Sequence, residues 1–256
     1  MTQFPDQLIT TLRSARRVAV LTGAGISAES GIPTFRDAQS GLWARFRAED
    51  LATVDAFERD PQLVWDWYAM RRELVERAQP NAGHRALAEL ARHVPTLTLI
   101  TQNVDGLHQA AGSPEVLELH GNIRQVKCFA EGTIIPEAEW VTGAGVPRCP
   151  RCDALLRPNV VWFGELLPAA TFRRAEHACR EAEVVFSIGT SGMVPPAATL
   201  PVTAVEAGAV GIEVNLEATY LSELFDYGLR GPAGVVLPAL VRAVWAGSPA
   251  IPGQPA

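Results

Sequence analysis

Apolar positions along this 256-residue chain gather in short continuous runs. Val18–Thr22, Thr96–Thr101, Val184–Ile188 and Val210–Val214 are rich in Val, Leu and Ile, and each leads into small or polar residues. Such runs read as strands covered on both faces, as in a parallel sheet packed between helix layers. Between them the spacing changes to a helical repeat. Asn81–His93 opens on an Asn suited to cap a helix and carries Ala and Leu at helical spacing. Strand and helix in alternation predict an α/β fold, a Rossmann-like doubly wound parallel sheet.

Two stretches break the alternation. Residues 44–80 read as a helical insertion, with Leu63, Trp67, Met70 and Leu74 as the expected core stripe. Residues 125–157 collect Gly, Pro and three of the four cysteines, and read as a zinc-ribbon-like insertion. The expected organisation is a sheet domain from residues 1–43, 81–124 and 158–247, a small lobe from the two insertions, and a flexible tail at 248–256.

Composition narrows the partners. The formal net charge is −6 with no run of Lys or Arg, which argues against nucleic acid. No stretch approaches the roughly 18 apolar residues of a membrane span, and the N-terminus lacks the apolar core of a secretory signal. The expectation is a cytoplasmic monomer. Cys128, Cys149 and Cys152 have metal-like spacing rather than that of a disulfide framework.

The first strand ends in Gly23-Ala24-Gly25-Ile26-Ser27-Ala28, a G-x-G-x-x-A turn that would let a pyrophosphate approach the backbone. A tight glycine turn would read the same way. The acid expected about 20 residues on in a dehydrogenase is not evident, which disfavours an ordinary hydride-transfer enzyme.

The run continues to Asp37 as GAGISAESGIPTFRD, which resembles the nucleotide-binding signature of the sirtuins. The resemblance recurs at Thr101–His108, Glu118–Gly121, Val161–Glu165, Gly189–Ser191 and Glu213–Asn215, in the family's order. It implies an NAD-dependent protein-lysine deacylase, acting on acyl-lysine proteins and releasing nicotinamide and O-acyl-ADP-ribose. His120 is then the catalytic base, since an imidazole with an ordinary pKa near 6.5 exchanges protons near neutrality. Asn103 would orient the ribose and a water, and Asp105 would read the nicotinamide carboxamide. Arg36 would lie near the phosphates or the nicotinamide ribose, and Thr190, Ser191 and Asn215 would hold the adenosine half. Gly23, Ala24, Gly25, Ser27, Ala28, Thr34, Phe35, Gln102, Gly189, Leu216, Glu217 and Ala233 would also bind NAD.

His84, His93 and His177 read as helical residues with surface-like neighbours, and His108 as structural. Asn103 and Asp105 would also suit a plain Asx turn. A non-catalytic NAD sensor and a protein mono-ADP-ribosyltransferase remain the alternatives, the second because it begins with the same chemistry.

Two departures from the common pattern carry further expectations. The zinc-ribbon spacing has Glu131 in place of the second cysteine, with Cys128, Cys149 and Cys152 retained. Glutamate ligates zinc, so a Cys3Glu site and a metal-free lobe are both open. Cys179 reads as a buried small residue. Tyr68 and Arg71, three apart in a helix, resemble the class III-like subgroup that removes succinyl, malonyl and glutaryl groups, the guanidinium gripping a carboxylate. Plain deacetylation is the alternative. Val161, Trp162, Phe163 and Gly164, with Gly192–Pro196, would flank the acyl-lysine peptide by strand-like pairing.

Overall fold

The computed structural model describes residues 4–33, 51–141, 143 and 145–247. Six parallel strands form the main sheet: β1 (Arg17–Thr22), β2 (Thr96–Thr101), β3 (Val116–Glu118), and, beyond an intervening two-stranded sheet, β6 (Val184–Ile188), β7 (Val210–Asn215) and β8 (Tyr227–Arg230). Their order is β3-β2-β1-β6-β7-β8. The chain winds outward from β1 in one direction and later from β6 in the other, so the order reverses between those two strands, as in a doubly wound sheet.

The apolar runs are continuous because both faces of the sheet are covered. Val18 and Val20 pack on one side with Phe186, Ile212 and Val214, against helices α1 (Asp6–Ser14), α5 (Ala82–Ala91) and α9 (Ala233–Trp245). Ala19 and Leu21 face the other side with Ile100 and Val185, against α7 (Ala169–Glu181) and α8 (Thr199–Glu206). Phe186 is fully buried at the centre of the first layer. Its truncation to Ala would cost about 3–5 kcal/mol.

Local signals set the helix ends. Asn81 Oδ1 accepts from the amides of Gly83 and His84, and the His84 ring accepts the Asn81 amide in return, closing a capping box. Asp60 caps α4 (Pro61–Arg77) by accepting from Leu63 N at 3.0 Å, with Pro61 at the favoured first position.

The smaller sheet pairs β4 (Gly121–Cys128) antiparallel to β5 (Leu156–Val160). Against it pack α3 (Val54–Arg59) and α4, forming a second core around Phe57, Trp67, Ile123 and Trp162. The helical stripe of α4 differs from expectation. Val64, Trp67, Tyr68 and Val75 are buried, whereas Leu74 is 39% exposed. Both sets obey helical spacing. The small sheet meets α4 on the face carrying Tyr68, and periodicity alone cannot choose between two adjoining apolar stripes. Residues 44–50 of the expected insertion and the tail from 248 lie outside the described residues.

Candidate functional site

Strand register brings the functional residues together. Thr22 is level with Thr101 across β1–β2 and with Ile188 across β1–β6. The residues that follow, Gly23, Gln102 and Gly189, therefore emerge side by side at the carboxyl edge. That edge, at the reversal point, is where open α/β sheets bind ligands.

The glycines have a nearer reason than the ligand. Gly25 N–H donates to Gly189 O at 2.8 Å, and Gly23 N–H to Ile188 O at 2.9 Å. A Cβ on Gly25 would sit 2.7 Å from Gly189 Cα, and one on Gly189, whose φ is +58°, would sit 2.5 Å from Ile26 N. The two loops cross in backbone contact, and only glycine leaves room. Ala24 caps and Ala28 ends the short helix α2 (Gly25–Ala28), whose Ser27 is fully buried.

Beneath this crossing lies a buried polar network. The His84 ring receives the Asn81 amide at Nδ1, so its Nε2–H faces Ser27 Oγ at 3.4 Å. Asn103 Nδ2 also donates to Ser27 Oγ, at 3.1 Å, and to Gly23 O at 3.0 Å. Ser27 passes its own proton to Asp105 Oδ2 at 2.7 Å. The other Asp105 oxygen accepts from Leu107 N at 2.9 Å, so this carboxylate is an Asx-turn acceptor as well. Thr22 Oγ1 joins Thr101 Oγ1 and His108 Nε2 at 2.8 and 2.9 Å. Burial pushes His84 down to about 4 and His108 down to about 3, the latter helped by His84. Both rings are therefore neutral at physiological pH.

His84 thus departs from the surface placement expected for it: it is buried because its ring closes a cap and supports Ser27. His93 also packs inward, stacked on Trp245 with ring centroids 5.2 Å apart. His177 is exposed and Cys179 is buried, as anticipated, and His108 is buried as well.

His120 sits in the turn between β3 and β4, half-buried. Its Nδ1 lies 2.9 Å from Gln102 O. A carbonyl oxygen only accepts, so Nδ1 carries the proton and Nε2 holds the lone pair. Burial lowers its pKa from the ordinary 6.5 and so favours the proton-accepting form, an effect the backbone bond partly offsets. The same Gln102 reaches the other side of the site, Nε2 donating to Thr190 Oγ1 at 3.0 Å. Asn215 Nδ2 holds Thr190 O at 3.0 Å. Ser191 follows directly, while Leu216 and Glu217 are exposed on the loop after β7. Ala233 is buried at the start of α9, and the next amide, Gly234 N–H, donates to Glu29 at 2.8 Å. The expected contacts of Thr34, Phe35 and Arg36 lie outside the described residues.

Val161 N–H donates to His120 O at 2.9 Å, which ties the segment Val161–Gly164 to the His120 backbone. A cleft of about 640 Å³ runs past this point, with Glu118, Gly121, Val161, Glu165 and Leu166 among its lining residues. Phe163 N–H donates to Ala52 O, and the Phe163 ring is half exposed. Inside the same segment Trp162 is buried, its Nε1–H donating to Tyr68 Oη at 3.0 Å. Tyr68 is pushed up to about 12, chiefly by burial, and the Arg71 charge beside it acts the other way. Burial lowers the Arg71 pKa, and its guanidinium lies 5.0 Å from the Trp67 ring centre. Arg72 turns aside, packing over Trp65 and Trp140 and donating to Ile123 O at 3.1 Å.

At the far end of the small lobe, ligand atoms of Cys128, Glu131, Cys149 and Cys152 all lie within 4.8 Å of one another. Tetrahedral zinc–thiolate shells place sulfurs about 3.8 Å apart. The Cys128 and Cys152 sulfurs are 3.4 Å apart, and the Glu131 amide points at Cys128 Sγ. Three soft donors and one carboxylate in this arrangement suit a closed zinc site.

Several functional contributors were not legible in the chain. Buried Arg157 forms a two-pronged pair with Glu165, at 2.5 and 2.9 Å. Glu213, also buried, receives Thr219, Ser222 and Arg230 and so fixes the loop after β7. Neither partnership has a sequence signal, because each joins an arginine to a distant or otherwise ordinary acid.

A neutral imidazole beside the carboxyl edge of a doubly wound sheet at its reversal point suits a Rossmann-type enzyme that works on a dinucleotide. The chain belongs to the Sir2 family, whose model matches residues 23–196. It is 48% identical over 249 residues to an "NAD-dependent protein deacylase" of Methylococcus capsulatus, with 94% of this chain and 98% of that protein covered. A Ralstonia nicotianae protein of the same description is 50% identical over 248 residues, covering 93% and 96%. Among solved structures, a "Sir2 homolog-NAD complex" superposes with TM-score 0.89 at 46% identity, covering 95% of this chain and 94% of the other. "Sir2 bound to acetylated peptide" gives 0.84 at 30% identity, covering 96% and 100%.

Proposed function

We propose that this protein is an NAD-dependent protein-lysine deacylase whose preferred acyl groups end in a carboxylate: succinyl or malonyl. The observation that carries the enzymatic part is the His120 tautomer. Gln102 O holds the Nδ1 proton, which leaves Nε2 as an unprotonated base at the dinucleotide edge of the sheet. Relatives named for NAD-dependent deacylation support it.

NAD, when bound, supplies a ribose carbon that nicotinamide leaves and an acyl acceptor in its ribose hydroxyls. Around it the chain's residues bind and orient. Gly23, Ala24, Gly25 and Ala28, with Thr34, Phe35 and Arg36, receive the phosphates and nicotinamide ribose. Asn103 and Asp105, held by Ser27, present an amide and a carboxylate to the ribose and carboxamide. Thr190, Ser191, Asn215, Leu216, Glu217 and Ala233 take the adenosine half. His120 Nε2 takes the proton from a ribose hydroxyl as it attacks. Val161–Gly164 flanks the acyl-lysine peptide and leads the acyl chain toward Tyr68 and Arg71. Cys128, Glu131, Cys149 and Cys152 would hold a zinc ion, which would brace the small lobe without entering the chemistry.

The acyl preference rests on Arg71, a partly dehydrated guanidinium beside a buried phenol, which suits a terminal carboxylate. Deacetylation is the second reading, favoured by the structural neighbour bound to an acetylated peptide. Purified protein incubated with matched succinyl- and acetyl-lysine peptides, with and without NAD, decides between them. NAD-dependent release favouring the succinyl peptide, with O-acyl-ADP-ribose as product and loss in His120→Ala, is expected. Preference for acetyl would overturn the acyl assignment. Label transferred to protein without deacylation would overturn the reaction.

A further inference from the structure

We infer that Trp162 is a specificity-positioning residue: its indole N–H fixes the direction of the Tyr68 hydroxyl proton, turning Tyr68 into a donor for the carboxylate of an acidic acyl group. This rests on the acidic-acyl reading above and adds how the pocket enforces it.

The argument turns on which groups can give and which can receive. Indole nitrogen is a donor only, so in the 3.0 Å contact Trp162 Nε1–H gives and Tyr68 Oη receives. Both residues are buried, at 1% and 4% exposure, so bulk water does not scramble the bond. With the phenol oxygen accepting from Trp162, its own proton must point away from the indole. The Arg71 guanidinium nearby offers only donors and cannot take it. Tyr68 Oη–H is thus left to donate to the acyl terminus, and a carboxylate, drawn also by the Arg71 charge beside the phenol, is the terminus that accepts it. An acetyl methyl cannot accept that proton, so the arrangement penalises the shorter chain by leaving a buried donor unmet.

The indole is itself held in place. The Arg157 guanidinium lies 3.2 Å from the Trp162 ring centre, and Phe57 packs on the ring at 5.4 Å. Glu165 pins the backbone, its Oε2 accepting from Trp162 N at 2.7 Å and from Arg157 Nη2 at 2.9 Å. The buried Arg157–Glu165 pair, which the proposed reaction leaves unused, thereby fixes both the plane and the edge of the ring.

The test is a double-mutant cycle of Trp162→Phe and Tyr68→Phe, read as the ratio of kcat/KM for succinyl-lysine over acetyl-lysine peptide. Using the ratio cancels any effect of Trp162 on peptide binding common to both substrates. Tyr68→Phe is expected to lower the ratio about 10-fold. Trp162→Phe should lower it by a similar factor, expressed in KM for the succinyl peptide rather than in kcat. The double variant should match Tyr68→Phe alone, because an indole with no hydroxyl to orient has nothing left to contribute. If Trp162→Phe lowers the ratio equally with and without the hydroxyl, the inference is overturned while the acidic-acyl reading stands. If Tyr68→Phe leaves the wild-type ratio unchanged, that reading and the inference fall together. A second measurement does not require the Trp162 variant to fold. In Tyr68→Phe, the Trp162 indole N–H proton resonance should move upfield as its acceptor is lost. An unmoved resonance would overturn the inference.

Discussion

The nucleotide edge of the main sheet and the proposed acyl pocket of the small lobe use polar groups in opposite ways. At the sheet edge, Ser27, Asn103, Asp105 and His84 are short side chains joined by hydrogen bonds, on loops brought level by strand register. Most of them fall within two contiguous motifs. In the small lobe, Tyr68, Trp162, Arg157 and Glu165 are large or charged groups from a helix, a strand and a loop, ordered by an ion pair and ring packing. The first region gets its geometry from backbone, which tolerates no added atoms. The second gets it from side chains.

Substitutions on the two sides should differ accordingly. The largest effect is expected for His120→Ala, which removes the base and should lower turnover on every acyl peptide by about 10²–10⁴-fold, with NAD binding retained. Single-turnover product assays and NAD titration check this. In the wild type, depression of the His120 pKa by burial should keep turnover near its plateau below pH 6.5, with loss setting in only toward acid pH. A fall centred well above 6.5 would contradict the observed placement.

Arg71→Met acts on the second region alone. The ratio of desuccinylation to deacetylation should fall about 10–100-fold, the value of a hydrogen bond to a charged group. Equal loss of both activities would mean that the pocket and the sheet edge are not separable.

Gly25→Ala tests the backbone crossing. The added Cβ meets Gly189 Cα at 2.7 Å, so urea unfolding should show about 1–3 kcal/mol lost, with weaker NAD binding and an unchanged succinyl-to-acetyl ratio. A shift in that ratio would show that the regions are coupled.

Acid should also reach the sheet edge first. His84 and His108 are held neutral in the fold, at about 4 and about 3, whereas each takes up a proton near 6.5 once unfolded. Their stabilising contribution is complete above 6.5 and is lost progressively as pH falls toward 4, because the unfolded chain then binds more protons. Urea midpoints measured from pH 7 to 4 should decline, and a flat profile would contradict the burial of these rings.

The smallest change is expected at the cysteine cluster. Protein prepared without chelator should carry about one zinc per chain. Glu131→Ala should release it at lower chelator concentration and Glu131→Cys at higher, with little change in acyl preference. Stoichiometric absence of zinc would leave the lobe held by its apolar contacts.

The four apolar runs declared the parallel sheet, since a strand buried on both faces has to be apolar along its length. Asn81 declared the start of a helix, because a cap is a local hydrogen bond. The glycine turn and the cysteine spacing were legible for the same reason: each is a short-range pattern tied to one strand end or one knuckle. His120, Asn103 and Asp105 stood out only through the resemblance of their motifs to the sirtuins, since alone they read as a structural histidine and an Asx turn. The tertiary structure alone decided the rest. It chose Val64, Trp67, Tyr68 and Val75 over the neighbouring stripe of α4, moved His84 from surface to core, and joined Arg157 to Glu165 and Trp162 to Tyr68. These outcomes depend on which face of one element meets another, or on donors and acceptors far apart in the chain, and no local spacing encodes either.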